Sequence, residues 1–150
     1  MALEIGAIAP DFRLPGSDGK EHSPASLRGR PYVLTFYPKD ETAGCVAQVC
    51  ALRDVWEDFR HMDVAVFGVS RDSVEDHQAF VANRKLPYSL LTDASGAMHK
   101  AFDVGRTFGV TNRVSYLVDA AGTIRAAYAS NLRPEQHAAR MLAAAKALAR

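Results

Sequence analysis

Short apolar runs alternate with segments of helical periodicity along almost the whole chain, and that alternation restricts the possible folds more than any other feature. "PYVLTFY" (31–37) is a β-branched and aromatic run bounded by prolines, the pattern of a buried strand. From Ala43 to about Arg60 the apolar residues Val46, Val49, Leu52, Val55, Trp56 and Phe59 recur at spacings of three and four, which predicts one amphipathic helix. "DVAVFGVS" (63–70) is a second buried strand, and "SVEDHQAFVANRK" (73–85) predicts a helix with Ser73 at its N-cap. "YSLLTD" (88–93) reads as a short strand and "ASGAMHKAFDV" (94–104) as a short helix. "RVSYLVD" and "TIRAAYA" read as two strands joined through the Ala121-Gly122 turn, and Pro134 to Ala149 as a terminal helix. Strands that alternate with helices and close in a hairpin indicate an α/β fold, a central mixed β-sheet flanked by helices. Residues 10–31, rich in Pro, Gly and Ser and containing "PGSDGK", predict an N-terminal extension built as a loose hairpin or extended arm, with no site placed on it.

A chain of 150 residues is expected to make a single domain over 1–150. Eighteen Lys and Arg against seventeen Asp and Glu leave a formal charge of +1, with no basic block to follow a phosphate backbone, so nucleic acid is not an expected partner. The start Met-Ala-Leu-Glu-Ile-Gly lacks the basic and apolar regions of a secretory signal. The Ala-rich C-terminus is interrupted by Arg140, Lys146 and Arg150, short of the roughly 18 apolar residues needed to span a bilayer. The expected location is cytoplasmic, with no membrane association. In that reducing compartment paired cysteines point to catalysis, redox sensing or metal binding rather than to a permanent disulfide.

The two cysteines, Cys45 and Cys50, both lie in "YPKDETAGCVAQVC" (37–50). Two cysteines cannot complete a four-cysteine zinc site, and no histidine stands at a ligand-like spacing from them. On a helix, positions five apart have Cα atoms roughly 8.6 Å apart and point about 140° away from each other, whereas a disulfide needs Cα atoms within about 7 Å. A Cys45–Cys50 bond therefore requires the first turns of the helix to unwind. Cys45, in the first turn, meets the positive end of the helix dipole and is the better nucleophile; Cys50 lies deeper. Thr42 can present a hydroxyl to the same space, and Pro38 fixes the strand's exit without donating an N–H, so that together they shape a small polar pocket. Spacing alone also fits two small buried hydrophobes on a helix face, a Thr42 that is only an N-cap and a Pro38 that is only a strand terminator.

The run Pro38-x-x-x-Thr42-x-x-Cys45 resembles the signature of the peroxiredoxins, thiol peroxidases with a thioredoxin-like fold. "FYPKDETAGCVAQVC" is similar to the Q-type subfamily, the bacterioferritin comigratory proteins, in which a second cysteine commonly follows the first by five residues. "GAIAPDFRLPGSDGK" resembles that family's N-terminal segment, and "TNRVSYLVDAAGTI" its stretch with the active-site arginine. The resemblance implies that Cys45 is the peroxidatic and Cys50 the resolving cysteine, linked in an intramolecular disulfide during turnover. It further implies that Thr42 hydrogen-bonds the peroxide, that Pro38 shapes the substrate site, and that Arg113 favours the thiolate and stabilises the transition state. A guanidinium suits that role because it offers planar donors to the peroxide oxygens as charge develops. Hydrogen peroxide and organic hydroperoxides are the implied substrates, thioredoxin or a related dithiol the implied reductant, and no metal or organic cofactor is required. With both cysteines in one chain, a monomer is the simplest state. Val46 stands where the family usually has Thr, and Gln48 where it often has Glu; Gln48 can bond to Arg113 but cannot pair with its charge.

A second reading from another class is a peroxide-sensing redox switch that acts through a protein partner; it shares the chemistry and differs in turnover. A thioredoxin-like disulfide exchanger is disfavoured, because two helical cysteines with four residues between them cannot close directly. Phe36, Tyr37, Trp56, Phe102 and Phe108 are candidates for core or for a collar around the site, with no role assigned.

Overall fold

The strand expected at 31–37 lies at the middle of the molecule, at Tyr32–Phe36, with all five residues buried. The structure, a computed structural model, describes residues 2–27 and 29–149. Its elements run β1 (Leu14–Pro15), β2 (Glu21–His22), α1 (Pro24–Leu27), β3 (Tyr32–Phe36), α2 (Ala43–Asp54) and α3 (Trp56–His61). They continue with β4 (Ala65–Ser70), α4 (Val74–Arg84), β5 (Ser89–Thr92) and α5 (Ala97–Ala101). The chain ends with β6 (Arg106–Thr107), β7 (Val110–Thr111), β8 (Val114–Val118), β9 (Ile124–Ala129) and α6 (Gln136–Leu148).

The main sheet has the order β5-β4-β3-β8-β9. β3, β4 and β5 pair in parallel, whereas β8 pairs antiparallel with both β3 and β9. Both faces are covered, which explains why the strands read as continuous apolar runs rather than alternating ones. On one face Val33, Tyr37, Val66, Leu90 and Leu117 pack with Val49, Leu52, Phe59, Phe80 and Met141 from α2, α3, α4 and α6. On the other, Leu34, Phe36, Phe67 and Tyr116 pack with Phe12, Leu27, Met98 and Phe102 from the N-terminal segment, α1 and α5. Successive residues of β3 thus feed opposite cores, as strand geometry requires.

The expected single helix 43–60 is two. Val55 (φ −114°, ψ 11°) separates α2 from α3, and its N–H bonds the Leu52 carbonyl, a tightened turn between the two helices. The apolar spacing continues in phase across the break, so periodicity alone cannot register it; β-branched Val55 is a poor helix former at the point where the chain bends. Ser73 caps α4 as expected, accepting from the Asp76 N–H at 3.1 Å. The N-terminal extension does form a hairpin, β1 with β2, and bridges from Ile8 to Thr123 and from Gly16 to Leu91 tie it to the sheet. A further hairpin, β6 with β7, turns on Phe108 (φ 52°) and Gly109 (φ 78°). Two consecutive left-handed residues favour Asn-Gly, and Phe at the first of them hides the turn from a sequence reading. Among the described residues no helix is long and apolar enough to cross a membrane.

Candidate active site

The loop between β3 and α2 is held from beneath. Tyr37 continues β3 by donating its N–H to the Val69 carbonyl, and its buried hydroxyl donates to Asp40 Oδ1 at 2.6 Å. Asp40 Oδ2 lies 2.6 Å from His77 Nδ1, and the Asp40 N–H donates to Asp72 Oδ2 at 2.9 Å, which also receives the Ser70 hydroxyl. Burial pushes the Asp40 carboxyl above its usual value, against the hydrogen bonds from His77 and Tyr37. His77 Nε2 lies 3.2 Å from the Leu91 carbonyl and 3.3 Å from the Ser70 hydroxyl, so both ring nitrogens are held. Ligand atoms of Asp40, Asp72 and His77 lie within 4.8 Å of one another, but all three side chains already serve this clamp on the loop.

Above the clamp, Pro38 is half-buried at the strand exit. Thr42 has the extended backbone of an N-cap (φ −82°, ψ 148°), yet its hydroxyl caps nothing and instead donates to the Lys39 carbonyl at 2.8 Å. α2 therefore leaves its first N–H groups free of a side-chain cap, next to Cys45 in the first turn. Cys45 Sγ receives the Lys39 N–H at 3.5 Å and Arg113 Nη1 at 3.2 Å. Two donors, one of them cationic, thus converge on the sulfur at the positive end of the helix. The residue is 0% exposed, so the expected polar pocket is closed over the thiol, and a substrate reaches sulfur only when the guanidinium or the first turn moves.

Gly44 makes the approach of Arg113 possible. A Cβ at that position would lie 2.5 Å from Arg113 Nη2, so only glycine leaves room for the guanidinium against the first turn. Arg113 is fixed at its backbone as well. Its N–H donates to Asn131 Oδ1 at 2.8 Å and its carbonyl accepts from Ser130 N–H at 3.1 Å.

Arg113 Nη1 also donates to Gln48 Oε1 at 3.0 Å, the bond anticipated for this residue pair. Gln48 is fully buried, and its Nε2 donates to Thr35 Oγ1 at 2.6 Å and to the Phe36 carbonyl at 3.1 Å. Thr35 contacts Ser115 at 2.6 Å, Ser115 contacts His137 Nδ1 at 2.8 Å, and His137 Nε2 reaches the Ser130 carbonyl at 2.9 Å. Carbonyl oxygens only accept, so one direction satisfies every group: Gln48 donates to Thr35, Thr35 to Ser115, Ser115 to His137 Nδ1, and His137 Nε2–H to Ser130. That order requires a neutral imidazole, in keeping with the burial that holds His137 below its ordinary 6.5. Sequence reading missed Thr35, Ser115 and His137. The available signal was a hydroxyl within each of two apolar strands, and the register places Thr35 directly opposite Ser115.

Cys50 is half-buried against the core on the same unbroken helix, and both thiols are free. Of the sequence-derived site residues, Cys45 and Arg113 are in contact, Thr42 directs its hydroxyl to the loop, and Cys50 stays a helical turn and more away. The fully buried Tyr88 hydroxyl donates to the Val49 carbonyl, pinning α2 beside Cys50, and burial pushes that phenol well above its usual value. Phe36, Tyr37 and Phe102 are core, Trp56 is half-buried, and Phe108 is fully exposed.

Residues 5–127 match the AhpC/TSA family. Over 134 residues the chain is 40% identical to "Peroxiredoxin Q, chloroplastic" of Suaeda salsa, covering 88% of this chain but only 63% of that relative. It is 36% identical over 135 residues to peroxiredoxin bcp of Coxiella burnetii, covering 85% of this chain and 89% of the relative. A solved structure of the Xanthomonas campestris bacterioferritin comigratory protein, described for alkyl peroxide reduction, superposes with a TM-score of 0.88 at 30% identity over the full length of both chains. The mixed sheet flanked by helices is the thioredoxin-like fold of those proteins. Family match, relatives and fold converge, and the chain belongs to the AhpC/TSA family, within its Q-type peroxiredoxin branch.

Proposed function

We propose that residues 1–150 act as one domain and as a thiol-dependent peroxidase for hydrogen peroxide and organic hydroperoxides, with Cys45 as the attacking thiolate. The observation that carries this reading is the 3.2 Å contact from Arg113 Nη1 to Cys45 Sγ at the start of α2. The thiolate attacks one peroxide oxygen; an S–O bond forms, the O–O bond breaks, and the leaving oxygen takes a proton and departs as water or an alcohol. Arg113 offers its guanidinium to the charge that develops on that oxygen, with Thr42 and Pro38 bordering the peroxide once the first turn opens. The alkyl peroxide reduction attributed to the Xanthomonas campestris protein supports organic hydroperoxides as substrates.

The sulfenic acid on Cys45 is then attacked by the Cys50 thiol, giving a disulfide and releasing the sulfenic oxygen as water. The N-terminal turns of α2 must unwind for this step, because helical positions five apart are about 8.6 Å apart at Cα. A thioredoxin-type dithiol returns both cysteines to thiols by exchange through a mixed disulfide and is itself oxidised. All the groups that change bonding belong to one chain, which makes a monomer sufficient. A reducing compartment such as the cytoplasm suits a cycle that begins from two free thiols.

Intact-mass analysis after one equivalent of hydrogen peroxide tests the assignment. The wild type is expected to lose two hydrogens, and Cys50→Ser to form a sulfenic adduct or an intermolecular disulfide. Cys45→Ser is expected to react little. Rapid oxidation of Cys50 in that variant would reverse the two roles. Repeated turnover with excess dithiol separates an enzyme from a sensor, which would react once and recycle slowly.

A further inference from the structure

Away from the thiol, a cavity of about 300 Å³ opens where the turn after β4, the helix α5 and the β6–β7 hairpin meet. Its wall includes Arg71, Lys100 and Arg106, three exposed cationic side chains from three different elements. None of them has a carboxylate partner among the described residues; Arg71 donates only to the Ala94 carbonyl, at 3.3 Å. One acidic residue, Asp103, shares the wall, as does Thr111 of the hairpin.

The same wall contains a buried imidazole that the fold leaves half-used. His99 has only 7% of its side chain exposed, and its Nε2 has no hydrogen-bond partner. Its other nitrogen, Nδ1, is 2.6 Å from Asp93 Oδ2, which also receives the His99 N–H at 2.8 Å. Burial by itself raises the Asp93 carboxyl, but hydrogen bonds from the His99 ring and from the His99 and Met98 N–H groups outweigh it and hold the group below its usual value. Asp93 is therefore an acceptor, Nδ1–H donates to it, and the ring's orientation is set. A buried polar atom without a partner is costly unless something supplies one.

We propose that this cavity binds the phosphate group of a small metabolite, with the guanidinium and ammonium groups of Arg71, Lys100 and Arg106 as its ligands and His99 Nε2, buried just behind the wall, as the further partner that a small shift of the ring brings to it. Arginine forks suit phosphate oxygens, and three cations balance a dianion better than a single carboxylate. The imidazole serves both ionisation states of the ligand: protonated, Nε2–H donates to a phosphate oxygen; neutral, Nε2 accepts the P–OH of the monoanion. The cavity reaches the lower end of the volume range of small-molecule sites, roughly 300–1,000 Å³, so the phosphate can carry an organic group. Neither Cys45 nor Arg113 is part of this wall, so the site is separate from the peroxide chemistry.

The test titrates inorganic phosphate into the full chain at constant ionic strength, with chloride as the balancing salt and imidazole ¹⁵N–¹H spectra as the readout. The expected result is a saturable shift of the His99 ring signals, accompanied by a rise in melting temperature. Arg71→Ala and Arg106→Ala, both at exposed positions that leave the fold intact, are each expected to weaken binding by about tenfold through loss of a charge-assisted contact. Both variants should retain wild-type peroxide consumption. Acetate at the same ionic strength should give no saturable shift; equal binding of acetate would overturn the choice of phosphate. His99 signals unmoved by phosphate, or undiminished affinity in the Arg71→Ala, Arg106→Ala double variant, would remove the site.

Discussion

Gly44 carries a constraint out of proportion to its size. Most helical glycines improve on replacement by alanine, by about 1 kcal/mol in a helix interior. Here the added methyl would occupy the position of Arg113 Nη2, 2.5 Å from the ideal Cβ. Gly44→Ala is therefore expected to separate stability from activity. The urea midpoint should hold or rise, while kcat/KM for peroxide falls by about 10- to 100-fold, somewhat less than the loss of a whole electrostatic donor to a developing charge. Steady-state peroxide consumption beside an equilibrium unfolding curve measures both. A loss of stability with unchanged kcat/KM would mean that the guanidinium has another way to reach the thiol. The pairing of Cys45 with Arg113 is legible in the sequence because both residues sit in recognisable motifs. Gly44 is not, because its reason lies on a segment 69 positions further along the chain.

At the scale of elements, α2 has two differently restrained ends. Its start is held through sulfur and the loop, by Lys39 N–H and Arg113, whereas its middle is pinned by the Tyr88 hydroxyl on the Val49 carbonyl, one residue before Cys50. Unwinding that brings Cys45 to Cys50 must propagate as far as this pin. Tyr88→Phe removes the pin while keeping the ring, at a cost to the helical form of about 1 kcal/mol for a buried hydrogen bond. If Cys50 resolves the sulfenic acid as proposed, disulfide formation in this variant is expected to be up to about fivefold faster, measured as the rate of thiol loss after one equivalent of peroxide. Amide exchange across residues 43–51 should also quicken. An unchanged rate would place the end of the unwinding before Val49. The helical period of α2 is plain in the sequence, but the break at Val55 and the β6–β7 turn are not. The first keeps the apolar phase, and the second puts Phe108 where Asn is usual.

Across the whole molecule, the chain of hydrogen bonds from Arg113 through Gln48, Thr35, Ser115 and His137 crosses the sheet and returns at Ser130, whose N–H holds the Arg113 carbonyl. Nothing in the linear order of these residues announces it, since it depends on the register of β3 with β8 and on where α6 packs. It has a direction, and that makes it sensitive to pH. Burial lowers His137 below 6.5 in the fold, so between 6.5 and the folded value the unfolded chain binds more protons than the native one. Stability therefore rises with pH through that window; it is fully present above 6.5 and is lost as the pH falls below it. Other groups face the ring or lie near enough to act on it: Tyr128 at 4.8 Å between centroids, Arg140 over Tyr128, Arg113, which opposes protonation, and Glu135, which favours it. A protonated ring must donate from Nδ1 to Ser115, whose oxygen has lone pairs for it, so one hydroxyl hydrogen of the Thr35–Ser115 pair then loses its acceptor inside the fold. Wild-type urea midpoints are thus expected to fall as the pH is lowered below 6.5, and His137→Asn, which cannot take up that proton, to show a shallower slope over the same range. Parallel slopes for the two proteins would mean that the proton taken up on acidification goes elsewhere, and that the chain through the sheet only holds α6 in place.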